Sequence, residues 1–239
     1  MTDLVTQLQA DIRDFRREEF IDENLNGIDA DSLHFRECTF QRIDFSNAYL
    51  DDLTCIDCKF IECTFQDTIL ENATFERCSF YHLMKPCLFV RADLRFSTFE
   101  GCDVRLCSFQ YARLFKSTWH DTNANGADFT RAEFGRAVKI EACNFRLTDL
   151  RDADLRKCKL SKTDFEQANL QDAQLQEADL TSCNFAGTNF KFTKLQGADM
   201  RGANVGSLDI RTTDLTDVKL YKAQGLTLLE NIKINLFED

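Results

Sequence analysis

Proline occurs once in the 239 residues, at Pro86, and there is no low-complexity stretch. With no linker of either kind, nothing divides the chain into separately folding domains. Long apolar runs are missing too, which excludes a membrane-spanning helix. Residues 1–20 scatter charges among their hydrophobes, so no secretory leader is expected there. The expectation is a cytoplasmic protein with no membrane contact. Histidine is scarce: His34, His82 and His120 lie far apart, and none recurs with a cysteine or carboxylate at metal-ligand spacing. Nucleophile-elbow, phosphate-loop and dinucleotide fingerprints are absent. Gly126 and Gly135 flank Phe129 and Phe134 without making a phosphate loop. These absences predict a protein that is not an enzyme, with no catalytic residue, metal or cofactor.

What the chain does have is a period of five. A small residue, any residue, then Phe or Leu recur as Cys38-Thr39-Phe40, Ala48-Tyr49-Leu50, Cys63-Thr64-Phe65, Ala153-Asp154-Leu155 and Ala178-Asp179-Leu180. Neither a helix of period 3.6 nor a strand of period 2 keeps one face apolar on a period of five. A chain that turns a corner every five residues closes a square coil in twenty, and such coils bury their apolar faces only by stacking. The pattern resembles the pentapeptide-repeat family, which implies an all-β, right-handed quadrilateral β-helix. The count of central residues from Phe20 to Leu220 predicts roughly ten coils, a rod on the order of 48 Å at the spacing of stacked strands.

Two slips interrupt the register. Phe80 to Phe89 is nine residues and Phe134 to Phe145 is eleven, where two repeats would give ten. Taken as a deletion and an insertion they cancel, which leaves Phe145 on the face it would occupy without them. Both are expected to be local bulges. Met84, Lys85 and Pro86 at the first, and Lys139 and Glu141 at the second, are candidate partner contacts, with relief of strain as the structural alternative.

The ends need caps, because an open solenoid exposes sheet edges. Leu4, Leu8, Ile12 and Phe15 at helical spacing, after Thr2 as a cap, predict a helix over about 3–14, with Arg13, Arg16 and Arg17 suiting its last turn. The expected layout is a capping helix within 1–17, the β-helix over 18–222, and a C-terminal cap with a helix and a short strand over 223–239.

Eleven cysteines follow the same frame. Cys38, Cys58, Cys63, Cys78, Cys87, Cys102, Cys107, Cys143, Cys158 and Cys183 hold the inward small position, and Cys55 a central one. There cysteine acts as a small buried hydrophobe, and so many unpaired thiols fit a reducing compartment. Cys55-Ile56-Asp57-Cys58 is a CxxC string by spacing alone. The Asp or Asn before the central residue, as at Asp154, Asn169, Asp179, Asn184 and Asp214, is expected to bond the turning backbone.

Net charge is −11, and residues 18–71 carry all of it, with 14 acidic against 3 basic side chains. That stretch is about 13 Å of rod, over which duplex DNA carries about eight charges at one per ~1.7 Å. A local imitation of DNA is therefore within reach of Asp29, Asp31, Asp44, Asp51, Asp52, Asp57 and Asp67, and Asp29, Asp31, Asp51 and Asp52 are expected on one face. The alternative is that these carboxylates keep the rod soluble.

Gly206-Ser207-Leu208-Asp209-Ile210-Arg211, then Asp214-Leu215, Val218-Lys219-Leu220, Gln224 and a leucine-rich tail, is similar to the ending of the Qnr and related fluoroquinolone-resistance pentapeptide proteins. The Phe- and Cys-rich N-terminal coils resemble the same group. The resemblance implies a homodimer through Leu226, Leu228, Leu229, Ile232, Ile234, Leu236 and Phe237. It also implies an acidic rod that imitates duplex DNA on DNA gyrase and topoisomerase IV, binds no nucleic acid itself, and protects the enzyme from poisons. Qnr proteins carry two projecting loops needed for protection, whereas only one-residue slips stand here. Gyrase-directed relatives without long loops include self-immunity proteins of producers of peptide or albicidin-like poisons. The alternative is a non-catalytic scaffold that binds some other protein through its flat sides.

Overall fold

The structure, a computed structural model, describes residues 3–135 and 137–233. The chain winds as a square coil whose four sides each carry one inward central residue. Side 1 is built from β1 (Asp14–Arg16), β3 (His34–Arg36), β5 (Thr54–Ile56), β7 (Thr74–Glu76), β8 (Thr98–Glu100), β9 (Thr118–His120) and β10 (Lys139–Glu141), stacked in parallel in that order. Side 2 begins with β2 (Glu19–Ile21), β4 (Thr39–Gln41) and β6 (Lys59–Ile61). Sides 3 and 4 join by single parallel bridges, such as Asp44 to Thr64 and Asp29 to Tyr49. Regular pairing on side 1 covers the six steps from β1 to β10, and bridges from Lys139 through Lys159, Asp179 and Asp199 to Lys219 extend the column.

A period of five works because the main chain bonds between coils rather than along itself. Leu50 N–H donates to Ile69 C=O (2.9 Å) one coil on, and Tyr49 N–H to Ile28 C=O (2.8 Å) one coil back. Backbone groups are thereby paired without helix or wide sheet. Corners turn on residues in the left-handed region, such as Asn47 (φ 57°) and Asp52 (φ 56°), a conformation that Asn and Asp tolerate better than most. The predicted Asx bonds are present: Asp179 Oδ1 accepts from Thr181 N (3.0 Å), Asn184 Oδ1 from Ala186 N (3.2 Å) and Asp214 Oδ1 from Thr216 N (2.9 Å).

Phenylalanines stack along the rod. Phe40, Phe60 and Phe80 lie ring on ring at 4.7 and 4.6 Å, and Phe45, Phe65 and Phe89 at 4.8 and 4.7 Å. All eleven cysteines are free and buried, as their frame predicts. Thiols at the inward small position, such as Cys58, Cys78 and Cys183, do what threonine hydroxyls do there. Cys78 Sγ donates to the carbonyl 23 residues back (3.3 Å), as Thr122 Oγ1 does (3.1 Å). Burial pushes the thiols of Cys143, Cys158 and Cys183 up to about 12, so they are not thiolates at neutral pH.

Both slips differ from expectation. Phe75 pairs with Phe99, 24 residues on, whereas Phe35 pairs with Cys55, 20 on. The nine residues from Phe80 to Phe89 are thus one side plus a four-residue insertion, not two sides less one residue. Spacing alone cannot separate these two readings. The second slip is a one-residue insertion, since Trp119 pairs with Ile140, 21 residues on. The two do not cancel but add to a full side, and Phe145 lies in the column of Phe80, Val104 and Ala124, one side away from the place predicted. Lys139 and Glu141 consequently sit in regular strand β10.

The N-terminal helix is shorter than predicted. α1 spans Leu4–Gln9, capped by Asp3, whose Oδ1 accepts from Thr6 N (2.7 Å). Thr2 lies outside the described residues. Arg13 does bond the helix end, through Leu8 C=O (3.3 Å), but Phe15 already belongs to β1, and Arg16 and Arg17 reach Glu37 in the next coil. Leu4 and Leu8 seal the first coil. At the other end α2 (Lys222–Asn231) is bound to the last coil by Gln224, whose Nε2 donates to Met200 and Ala203 C=O, both at 2.8 Å.

Candidate protein-interaction surfaces

The period of five sets where each acidic side chain points. On side 4, Asp29 and Tyr49 share one outward column, and Asp31, Asp51 and Glu71 the other; Asp52 occupies the corner toward side 1. Among the described residues, none of Asp29, Asp31, Asp51 and Asp52 has an ion-pair partner. Burial, reinforced by Glu71, Asp52 and Asp93, raises the Asp51 carboxyl above its ordinary value.

The other three predicted acids point elsewhere. Asp44 faces side 3 and accepts from Ser46 N (2.9 Å). Asp57, at the corner of sides 1 and 2, holds Arg77 (2.7 Å), and Asp67, at the corner of sides 3 and 4, holds Arg91 (2.7 Å). Each guanidinium lowers its partner's carboxyl pKa. Charge counted along the chain is therefore not charge in space, because arginines of the following coil reach back to neutralise part of the stretch 18–71.

Below this zone runs a neutral belt. The buried Asp93 carboxylate accepts from Arg95 (2.7 Å) and Arg113 (2.9 Å), and Arg95 also holds Glu71 (2.8 Å). Further along, Asp-x-Arg clamps neutralise the rod locally, as in Arg156 with Asp154 (2.6 Å) and Arg201 with Asp199 (2.6 Å). Their sequence signal is an Asp and an Arg flanking one central residue, as in Asp154-Leu155-Arg156.

The four-residue insertion forms a projecting loop over 81–86 at the corner of sides 2 and 3. Arg105 stacks on Tyr81 (4.0 Å), and Lys85 Nζ reaches Glu62 (3.4 Å), which fixes its base. Met84 at its tip is 80% exposed and Leu83 67%. In the tail, Leu228 is buried against the last coil, Leu226 is exposed, and Leu229 and Ile232 are half-buried. Ile234, Leu236 and Phe237 lie outside the described residues. Among the described residues only Glu100, His120 and Asp121 converge closely enough to hold a metal ion. His120 Nδ1 already meets Glu100 (2.9 Å) and Asp121 (3.4 Å), and the hydrogen bond with Glu100 raises its pKa, so contacts among the three side chains account for the cluster.

Eight copies of the pentapeptide repeat are matched over residues 32–67, 87–114, 137–167 and 168–205, more than half of the chain. The chain belongs to the pentapeptide-repeat family. Among solved pentapeptide-repeat structures, a trypsin-treated variant of QnrB1, a plasmid-mediated fluoroquinolone resistance protein, superposes with a TM-score of 0.70 at 24% identity, over 94% of this chain and 100% of that one. A second trypsin-treated variant gives 0.69 at 25% identity over 94% and 97%. Full-length QnrB1 gives 0.59 at 23% identity over 92% and 100%. No curated protein sequence is significantly similar to the chain. No helix among the described residues is long and apolar enough to cross a membrane.

Proposed function

We propose that this pentapeptide-repeat protein binds DNA gyrase, with topoisomerase IV as a second target, and protects it from topoisomerase poisons without catalysing a reaction. It acts as an acidic rod in place of duplex DNA, displacing DNA or dissociating poison-stabilised cleavage complexes. The observation that carries this reading is the set of unpaired carboxylates of Asp29, Asp31, Asp51 and Asp52 on one side and corner of a rod similar in fold to QnrB1. Cationic protein surfaces that hold DNA are attracted to such a set. Only the N-terminal coils carry it, so the imitation is local, and the 81–86 loop with Met84, Lys85 and Pro86 supplies a second contact. The site of action is the cytoplasm.

A gyrase supercoiling assay with purified protein, with and without a fluoroquinolone and an albicidin-type poison, tests it. Rescue of supercoiling from one poison is expected; neither rescue nor inhibition at micromolar protein would overturn the reading. The second reading, a scaffold for another protein, draws on the Asp-x-Arg clamps, which leave the C-terminal coils flat and neutral.

The tail is the proposed dimer interface. α2 turns Leu228 inward but leaves Leu226 exposed and Leu229 and Ile232 half-buried, an apolar surface that a second copy would cover. Leu229→Asp with Ile232→Asp is expected to give a folded monomer, because the Gln224 bonds that fasten the helix are untouched. Light scattering decides: an unchanged dimer mass, or a monomeric wild type, would place the contact elsewhere or remove it.

A further inference from the structure

Some corner residues break two local rules at once. Phe96 (φ 61°), Tyr111 (φ 57°) and Phe192 (φ 61°) hold the left-handed conformation, which bulky side chains avoid, and all three are exposed. In the corner between sides 4 and 1, the coils preceding Phe96 use Ser32, Asp52 and Asn72 instead. Exposed Leu106 and Leu147 hold the same corner conformation, so what sets Phe96 apart is the second ring it meets.

Phe96 is part of a built ledge. Its ring meets Phe115 edge to face at 5.9 Å, and Lys116 Nζ lies 5.3 Å from both ring centres. One coil further, a Cβ on Gly135 would stand 2.8 Å from Phe115 Cδ2, so glycine there leaves room for the ring. Two coils back from Phe96, about 10 Å along the rod, the exposed Tyr49 stands beside Asp51 and Asp52, while Asp93, Arg95 and Arg113 lie in the same two coils as the rings and, with Glu71 of the coil between, make a neutral cluster.

We propose that side 4 is a two-part docking strip for a basic protein surface: Asp51, Asp52 and Tyr49 meet its cationic part, and the Phe96–Phe115 pair enters an apolar socket on the same partner. Charge complementarity selects the occupant. The acidic zone repels nucleic acid and anionic lipid, and Lys116 over the rings places the partner's cationic part at the acidic end. Aromatic side chains at the centre of a patch are the usual anchors of protein contacts. This inference rests on the proposed binding to gyrase and adds a contact that duplex DNA has no group to imitate.

The test is binding of the full-length protein to immobilised gyrase holoenzyme across a salt series. Phe96→Asn copies Asn72 one coil earlier, and Phe115→Gln copies Gln176 and Gln196 at the equivalent position, so both variants should fold. The double variant is expected to bind about tenfold more weakly or worse at every salt concentration, with the salt slope of the wild type. Asp51→Asn with Asp52→Asn is expected to flatten that slope. Phe192→Asn is the control and should leave binding alone. Wild-type affinity in the double variant would mean that the rings only cover the Gly135 corner, and would overturn the proposal. So would an equal loss in Phe192→Asn, which would indicate unspecific apolar adhesion. Absence of wild-type binding at any salt would remove both this inference and the gyrase reading.

Discussion

Phe60→Ala is expected to lower the unfolding free energy by about 3–5 kcal/mol, the range for deleting a buried aromatic ring from a core that cannot close around the void. Phe60 lies in the middle of a column, parallel to Phe40 and Phe80 within 4°, and meets Phe65 and Phe75 edge-on. Collapse is blocked because the coil spacing is set by main-chain bonds, such as Lys59 N–H to Cys38 C=O (2.9 Å), that do not shorten when a side chain is removed. In a solenoid each coil touches only its neighbours, so the loss falls on the two interfaces above and below the deleted ring. Urea unfolding reads the effect. A clear drop in midpoint, or separation into two transitions as the N-terminal coils uncouple, is the expected record. A loss below about 1 kcal/mol would mean that neighbouring rings re-pack into the space, against the rigidity argued from the coil spacing. Phe192→Asn is the contrast: its ring is 66% exposed, and the substitution relieves a left-handed aromatic, so stability should hold or rise.

What was legible in the sequence was whatever the period of five enforces. The inward columns, the burial of eleven cysteines and the Asx bonds at Asp179 and Asn184 follow from position in the repeat, since a residue two before a central Phe or Leu has nowhere to point but inward. Register across an interruption was not legible. Nine residues between Phe80 and Phe89 read equally as two sides short of one residue or one side with four extra, and only the pairing of Phe75 with Phe99 separates them. The α1 end departs from the helical spacing for a related reason: Phe15 fits that spacing from Leu4 and Leu8 and also the five-residue frame, and the coil's main-chain bonds prevail. Surface charge was half legible. Asp31 and Asp51 share a column as counted, but the pairing of Asp57 with Arg77 and Asp67 with Arg91 depends on which coil follows at each corner. Phe96 and Phe115 lie between the slips, where a twenty-residue coil brings residues nineteen apart together, but neither carries a motif that singles out the pair.

Asp51→Lys with Asp52→Lys is expected to abolish partner binding while leaving the rod as stable as before or more so. The two effects have opposite signs for one reason. Asp51 is partly buried and faces Glu71, Asp52 and Asp93, so its pKa is raised in the folded protein. An acid whose folded pKa lies above its unfolded value is less comfortable ionised in the native state, and at neutral pH its charge destabilises the fold. Lysine at that site exchanges repulsion by Glu71 and Asp93 for attraction, which offsets the cost that burial, the larger cause of the shift, imposes on either charge. Function moves the other way, because the substitutions turn two negative charges into two positive ones where the cationic partner surface should sit. Like charges forced together across an interface cost several kcal/mol, and each 1.4 kcal/mol is tenfold, so the affinity should fall by about 100-fold or more. Measured together, a melting temperature that holds or rises and a binding constant that collapses would locate the contact at this corner, since a merely structural role would move both downward. Undiminished binding to gyrase in the double variant would remove charge imitation from the proposed function. Contact would then fall to the loop at Met84 and Lys85, whose exposed tip lies at the diagonally opposite corner and is untouched by these substitutions.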